Sequence, residues 1–177
     1  MDINKIVQFR LLKDNHTPPE YSSDYRYEII DINNYQDNLD RLLSVSFQME
    51  KEMEWDGIPN TEEKLYKRFI NGSDAQFWIY RDNIIGWCWQ NMNVTYDWEV
   101  TNHILKPNES YTGGAFVSRT MKRPPESSFI FYNFSFSHLL SLKGKDAVYL
   151  YSDDWNRASS ILCYKSGYTN YNFIKEE

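Results

Sequence analysis

The chain is 177 residues long, with 19 Lys and Arg against 25 Asp and Glu and a formal charge of −6. That balance argues against a duplex nucleic-acid binder, which needs a basic footprint, though not against one small anion in a local basic pocket. Aromatic residues make up 17% of the sequence, so much of the core must be aromatic.

Cys88 and Cys163 are the only two thiols, which is no disulfide framework and points to a reducing, cytoplasmic setting. The opening MDINKIVQFRLLKD carries charges through its apolar run and so lacks the core of a signal peptide. No stretch reaches the roughly 20 apolar residues of a membrane span. The expectation is one domain over 1–177, with residues 1–24 as an extension and His16 in a mobile Pro-rich stretch.

Tyr25 to Ile32 alternates as a strand, and Asn33 to Lys51 spaces Leu39, Leu42, Leu43, Val45 and Phe47 as a helix face. Thr61-Glu62-Glu63 opens a second helix that stops at Asn71-Gly72. FWIYRDNIIGWCWQNM is a hairpin signal, with Asp82-Asn83 supplying the turn. Asn93 to Ser110 is polar and irregular, a long loop or an extra strand, and Gly113 to Ser118 reads as a strand with a flexible entry. An apolar helix runs from about Ser127 to Lys143 and stops at Gly144. AVYLY (147–151) is a buried strand, the stretch Ser152 to Tyr168 supplies the next helix, and Tyr168 to Ile174 is a last strand. Helices must cover both faces of a central sheet, an α/β or α+β layered fold.

This order resembles the GNAT superfamily of acyl-CoA-dependent N-acyltransferases. The likeness centres on YLYSDDWN (149–156) and KSGY (165–168): a strand, a short loop ending in Asn, a small-residue helix, then Gly and an aromatic. It runs from about Tyr25 to the end and implies a mixed central sheet with helices on both faces. It also implies an acyl-CoA lying in a V-shaped split between two strands; no metal is expected, since no Cys/His cluster has metal-ligand spacing. The backbone of Phe116, Val117 and Ser118 would meet the pantetheine arm and acyl carbonyl, and Asn156 would meet the arm from the other side. The diphosphate would sit on the turn before the helix, near Lys122, Arg123, Ser127 and Ser128, where backbone N–H groups and the helix end favour an anion.

Two departures stand out. The family's turn is basic-x-x-Gly-x-Gly or Ala, whereas here Lys122-Arg123-Pro124-Pro125-Glu126-Ser127-Ser128 has no Gly. The two prolines lack N–H groups, so Arg123 and the amides beside Ser128 would carry the load. The family's general acid, a Tyr four residues before the Gly, falls at Cys163, with Tyr164 one position on and turned by roughly 100° on a helix. Tyr164 is the favoured general acid, because a phenol with a pKa of about 10 stays protonated at neutral pH, with Cys163 or no side chain as the alternatives. Cys163 also reads as a small buried hydrophobe and Tyr164 as a core aromatic.

Amine acylation needs an unprotonated amine, hence a nearby base. Asp97, Glu99, His103 and His138 are candidates, with Glu99 preferred because Trp98 could desolvate it; His138 also reads as a satisfied helix residue. Trp87, Trp89 and Trp98 belong to the core or line an acceptor pocket that stacks on a sugar or nucleobase. The acceptor suggested by analogy is a small amine such as a nucleotide-linked amino sugar, with nucleic acid excluded and a homodimer left open. Two alternatives stand beside this reading: a non-catalytic binding module with a decayed phosphate turn, and an acyltransferase fed by an acyl carrier protein.

Overall fold

A computed structural model describes residues 6–53, 60–92, 105–153 and 156–170. The strands are β1 (Ile6–Leu12), β2 (Tyr25–Ile30), β3 (Asp74–Tyr80), β4 (Asn83–Met92), β5 (Glu109–Val117), β6 (Ala147–Asp153) and β7 (Thr169–Asn170). The helices are α1 (Leu39–Glu52), α2 (Glu62–Ile70), α3 (Ser127–Ser137), which runs on into a π turn at His138–Leu142, and α4 (Arg157–Lys165). The strands form a seven-stranded mixed sheet ordered β2-β3-β4-β5-β6-β1-β7, in which β5 and β6 are parallel and the other neighbours antiparallel.

Alternation sorts the side chains of the sheet. Ala75, Phe77, Trp87 and Trp89 face α1 and α2, where Leu42, Val45, Leu65 and Phe69 close over them. Trp78, Ile85 and Cys88 face α3, against Ile130, Phe131 and Phe134. Phe9, Leu11, Val148 and Leu150 pack under the end of α3 and α4 with Cys163 and Tyr168. The helix boundaries follow local chemistry: Thr61 Oγ1 accepts from Lys64 N–H at 3.3 Å to cap α2, and Asn156 Oδ1 accepts from Ser159 N–H at 3.1 Å to cap α4.

Three features differ from the sequence expectation. Residues Ile6–Leu12 form β1, inserted between β6 and β7 in the sheet rather than standing outside it. The Pro-rich stretch after it is packed: His16 Nε2 lies 2.9 Å from Ser137 Oγ, and Tyr21 meets Phe134 edge-on at 4.8 Å. The reason is α3 itself, which is apolar all round and needs cover on its outer side. The β3–β4 turn uses Arg81 and Asp82, both at positive φ (46° and 65°), because Tyr80 pairs with Asn83. A two-residue turn of that hand matches the strand twist, and Asn83 Nδ2 donates to Arg81 O at 2.9 Å.

Candidate active site

Among the described residues, the sheet opens between β5 and β6. β5 and β6 are in register at Glu109–Ala147, Ser110–Val148 and Tyr111–Tyr149, and beyond those three pairs they separate. β5 continues to Val117 and β6 to Asp153, so a gap widens toward their C-terminal ends. On its other edge β5 stays with β4 through two compensating bulges. Cys88 alone faces Gly114 and Ala115, while Thr112 alone faces Gln90 and Asn91. Gly114 takes φ +58°, which a side chain would resist. Gly86 lets the strands close up, since a Cβ there would collide with the Phe116 carbonyl.

Backbone direction in β5 follows from one hydrogen bond. Ser118 N–H donates to Ile85 O at 2.7 Å, so it points to β4. Successive residues of a strand aim their backbone groups to opposite edges, so the N–H and C=O of Val117 face the gap. The structure therefore separates three residues that the sequence groups together. Val117 offers its backbone to the gap, Phe116 is turned to β4 with its ring in the core, and the Ser118 amide is already used.

At the root of the gap, Gln8 Nε2 on β1 reaches past β6 to donate to the Tyr111 hydroxyl on β5, and Tyr149 Oη donates to Glu109 Oε1 at 3.0 Å. Sequence reasoning missed this lock because β1 was not read as part of the sheet.

After Val117 the chain forms the turn leading to α3, and Arg119 to Pro125 wall a pocket of about 330 Å³. Arg119 and Lys122 are exposed on it, which makes it locally basic in an acidic chain. Arg123 is half-buried and folds back, its Nη1 donating to Ser118 O and, at 3.3 Å, to Met121 O. Burial lowers its pKa, against the opposing charge of Glu52.

The Glu52 carboxylate, at the end of α1, is the centre of the turn. Its Oε2 accepts from Arg119 N–H at 2.7 Å, and its Oε1 accepts from Ser118 Oγ at 2.7 Å, Thr120 Oγ1 at 2.8 Å and Gln48 Nε2 at 2.9 Å. Burial alone would raise its pKa, but these four donors outweigh that and lower it to about 2. Glu52 is invisible to motif reasoning because, Gln48 apart, its partners lie more than 60 residues away in sequence.

Up to Ser127 the backbone amides of the turn are largely engaged within the protein. The N–H of Arg119 is on Glu52, those of Thr120 and Met121 lie 3.3 Å from Ser118 Oγ, and that of Ser127 donates to Pro124 O at 3.1 Å. Pro124 and Pro125 have no N–H, so no run of three adjacent amides between Arg119 and Ser127 is free to meet an anion. Ser127 is fully buried with its Oγ 3.0 Å from the Tyr25 hydroxyl, and Ser128 is half-buried in the first turn of α3.

The remaining sequence candidates scatter. Cys163 is fully buried, and burial pushes its thiol up to about 12. Tyr164 points outward, its hydroxyl donating to Asn170 Oδ1 at 2.7 Å and its ring edge-on to Phe9. Trp87 and Trp89 are 1% and 3% exposed beneath α1 and α2 and present no wall to a ligand; period-2 alternation puts both on the one face that those helices cover. His138 is buried beside Tyr27, and burial with the Lys143 charge lowers it to about 4. Asp97, Trp98, Glu99 and His103 lie outside the described residues. Among the described residues no group of three or more His, Cys, Asp and Glu could hold a metal ion, and no helix is long and apolar enough to cross a membrane.

No protein-family model matches the chain, and no curated protein matches it in sequence. Solved structures do. An aminoglycoside acetyltransferase from an uncultured soil metagenomic sample, in complex with trehalose, superposes with a TM-score of 0.63 at 12% identity, over 89% of this chain and 97% of that one. A GCN5-related N-acetyltransferase from Kribbella flavida gives 0.57 at 10% identity, over 94% of this chain and 54% of the other. The chain has the GNAT fold. A glucosamine N-acetyltransferase region of a fungal multi-domain β-N-acetylglucosaminidase shares it too, with a TM-score of 0.60 at 10% identity, over 97% of this chain and 20% of that one. The chain thus spans about half the length of the Kribbella protein and a fifth of the fungal one. Within the GNAT fold, the parting of β5 from β6 is the split that the sequence resemblance implied.

Proposed function

We propose that the chain is an N-acyltransferase, moving an acyl group from a pantetheine thioester of the acyl-CoA type to the amine of a small polar acceptor. The observation that carries this reading is the gap between β5 and β6, with the Val117 backbone on one wall and the basic turn at its mouth. A thioester arm laid along β5 completes its unpaired edge as a further strand would. The Val117 N–H then meets the thioester carbonyl oxygen and stabilises the charge that develops as the amine adds. Asn156 caps α4 through Oδ1, which leaves its Nδ2 to donate to the arm from the facing side.

The acceptor amine must arrive neutral or lose a proton on the way, a task we assign to Glu99 with Trp98 beside it. The C–N bond forms, the C–S bond breaks, and the amine proton passes to the base. Thiols ionise near 8.5, so the sulfur leaves as a tolerable thiolate and takes its proton from water. This does without both α4 candidates, since Cys163 is sealed in the core and the Tyr164 hydroxyl is held by Asn170. An amino-sugar amine is the acceptor class we favour, because two proteins of the same fold are named for such substrates.

The test is a panel of amines offered with acetyl-CoA, with released thiol read by a chromogenic thiol reagent. The protein's own Cys88 and Cys163 are buried and pushed up to about 12, so they contribute little background. Thiol release that depends on an amino sugar supports the reading. Equal activity in Tyr164→Phe and Cys163→Ala would support solvent protonation, and a loss of about tenfold or more in Tyr164→Phe would restore it as the acid. If no acyl thioester raises the melting temperature and no amine releases thiol, the fold serves as a binding module.

A further inference from the structure

β5 reaches its open end with a backbone partner on one side. Val117 pairs with Gly86 and the Ser118 N–H reaches Ile85 O at 2.7 Å, both on β4, while β6 has already left. A strand end bonded along one edge is where local opening starts. Here it is tied across the layers instead. The three residues after Val117 all bond one carboxylate at the end of α1. Ser118 Oγ donates to Glu52 Oε1 at 2.7 Å, Arg119 N–H to Oε2 at 2.7 Å, and Thr120 Oγ1 to Oε1 at 2.8 Å. Gln48 Nε2, one turn back on α1, donates to the same Oε1 at 2.9 Å and lies 3.3 Å from Ser118 Oγ, which braces the carboxylate from its own helix. On the other face of the sheet the Val117 side chain packs against the cluster under α3. Val117 is thus held between two layers.

Local preference does not explain an acid at this position. Glu52 is the last residue of α1, and the end of a helix carries the negative pole of its dipole, which disfavours a carboxylate. A broken local rule of this kind marks a place where a different demand is met. Hydrogen bonds to an ionised acceptor are roughly twice as strong as neutral ones. With its pKa lowered to about 2, Glu52 keeps its charge throughout the neutral range.

We propose that Glu52 is a positioning residue for acyl transfer: by gripping Ser118, Arg119 and Thr120 it fixes the direction of the Val117 N–H toward the thioester carbonyl. This rests on the acyl-transfer reading above and adds to it a residue that acts through the end of β5 and not by touching the donor. An oxyanion donor works because it is aimed before the reaction starts. Removing one costs about a hundredfold to a thousandfold in kcat, and a misplacement of about 1 Å costs about a hundredfold. A loosened Val117 N–H loses part of that. The loss falls on kcat, because charge builds on the carbonyl oxygen in the transition state more than in the bound thioester.

The experiment has two readouts on the full chain. Turnover is measured with acetyl-CoA and glucosamine, and the infrared band of acetyl-CoA isotope-labelled at the thioester carbonyl is recorded on the protein without an acceptor. In the native protein the band should lie below that of free acetyl-CoA, as a carbonyl that accepts a hydrogen bond. Glu52→Gln keeps the shape but puts an amide N–H where one of the donors now ends. It should lower kcat by about tenfold or more and change the KM for acetyl-CoA by less than about threefold. Its bound band should move back toward the free position. A variant that is folded by circular dichroism, with kcat within about fivefold of native or the native band position, overturns the proposal. So does a fall carried by KM alone. Ser118→Ala cuts the same tie from the β5 side and decides the matter if Glu52→Gln does not fold. Where both fold, the double variant should be no slower than the worse single one, and losses that multiply overturn the shared tie. Where glucosamine is not turned over, the band alone decides. If acetyl-CoA does not bind the native protein and no amine releases thiol, the acyl-transfer reading itself fails, a result distinct from an active enzyme indifferent to Glu52→Gln.

Discussion

Along one edge β5 stays with β4 from Met92 back to Gly86, and along the other it leaves β6 after Tyr111. The two edges belong to one strand of one sheet, so backbone propensity cannot explain the difference. The closed edge is held by Gly86, whose missing Cβ admits the Phe116 carbonyl, and by bulges that take up the mismatch in twist. On the open edge β5 is gripped at both ends: Gln8 bonds Tyr111 at the root, and Glu52 draws Ser118, Arg119 and Thr120 toward α1 at the mouth. A gap in a sheet therefore has to be held open by contacts on either side of it.

The closed edge should break most severely. Gly86→Val puts a branched side chain against the Phe116 carbonyl and should cost about 3 kcal/mol or more. Urea unfolding would read this as a lowered midpoint, and a loss under about 1 kcal/mol would mean that the close approach of β4 and β5 is not needed.

An acid titration of stability separates the two sides of the sheet by pH. His138, on the α3 side beside Tyr27, is lowered by burial from 6.5 to about 4. A depressed folded value means that its contribution is fully present above pH 6.5 and is lost as pH falls through 4. The loss should be about 3 kcal/mol and absent in His138→Leu. Glu52, at the open edge, is lowered from 4.5 to about 2 despite its burial, so its contribution is present above pH 4.5 and lost as pH falls through 2. Glu52→Gln should remove only the lower window. If it changes the slope between pH 6.5 and 4.5 instead, the assignment of the two windows is wrong.

Tyr111→Phe tests the root lock. It strands the buried Gln8 amide and should cost about 1–2 kcal/mol. Gln8→Leu with Tyr111→Phe should recover part of that loss, because the buried amide is then gone; a double variant no more stable than Tyr111→Phe would deny the lock.

The smallest effect is expected at Asn156. Replacing the α4 cap with Ala should cost about 1 kcal/mol, and Asn156→Ser should restore most of it. If Nδ2 also meets the donor, the Ser variant will fold normally yet bind acetyl-CoA more weakly. Unchanged binding would make Asn156 a cap alone.

The sequence by itself determined the elements from β2 to β7 and the layered class, because each signal is local. Two apolar runs around a turn signal wrote β3 and β4, Thr61 and Asn156 capped their own helices, and the apolar run 127–143 had to be a buried helix. It also marked the two departures, at the Gly-less turn and at Cys163. Only the tertiary structure decided which groups meet. It inserted β1 between β6 and β7, sent Trp87 and Trp89 under α1 and α2, folded Arg123 back on its own turn, and closed that turn with Glu52. The physical reason is range. A cap or an alternation is settled within a few residues, whereas the Glu52 carboxylate finds three of its four donors 66 to 68 positions away, where no periodicity or spacing records them.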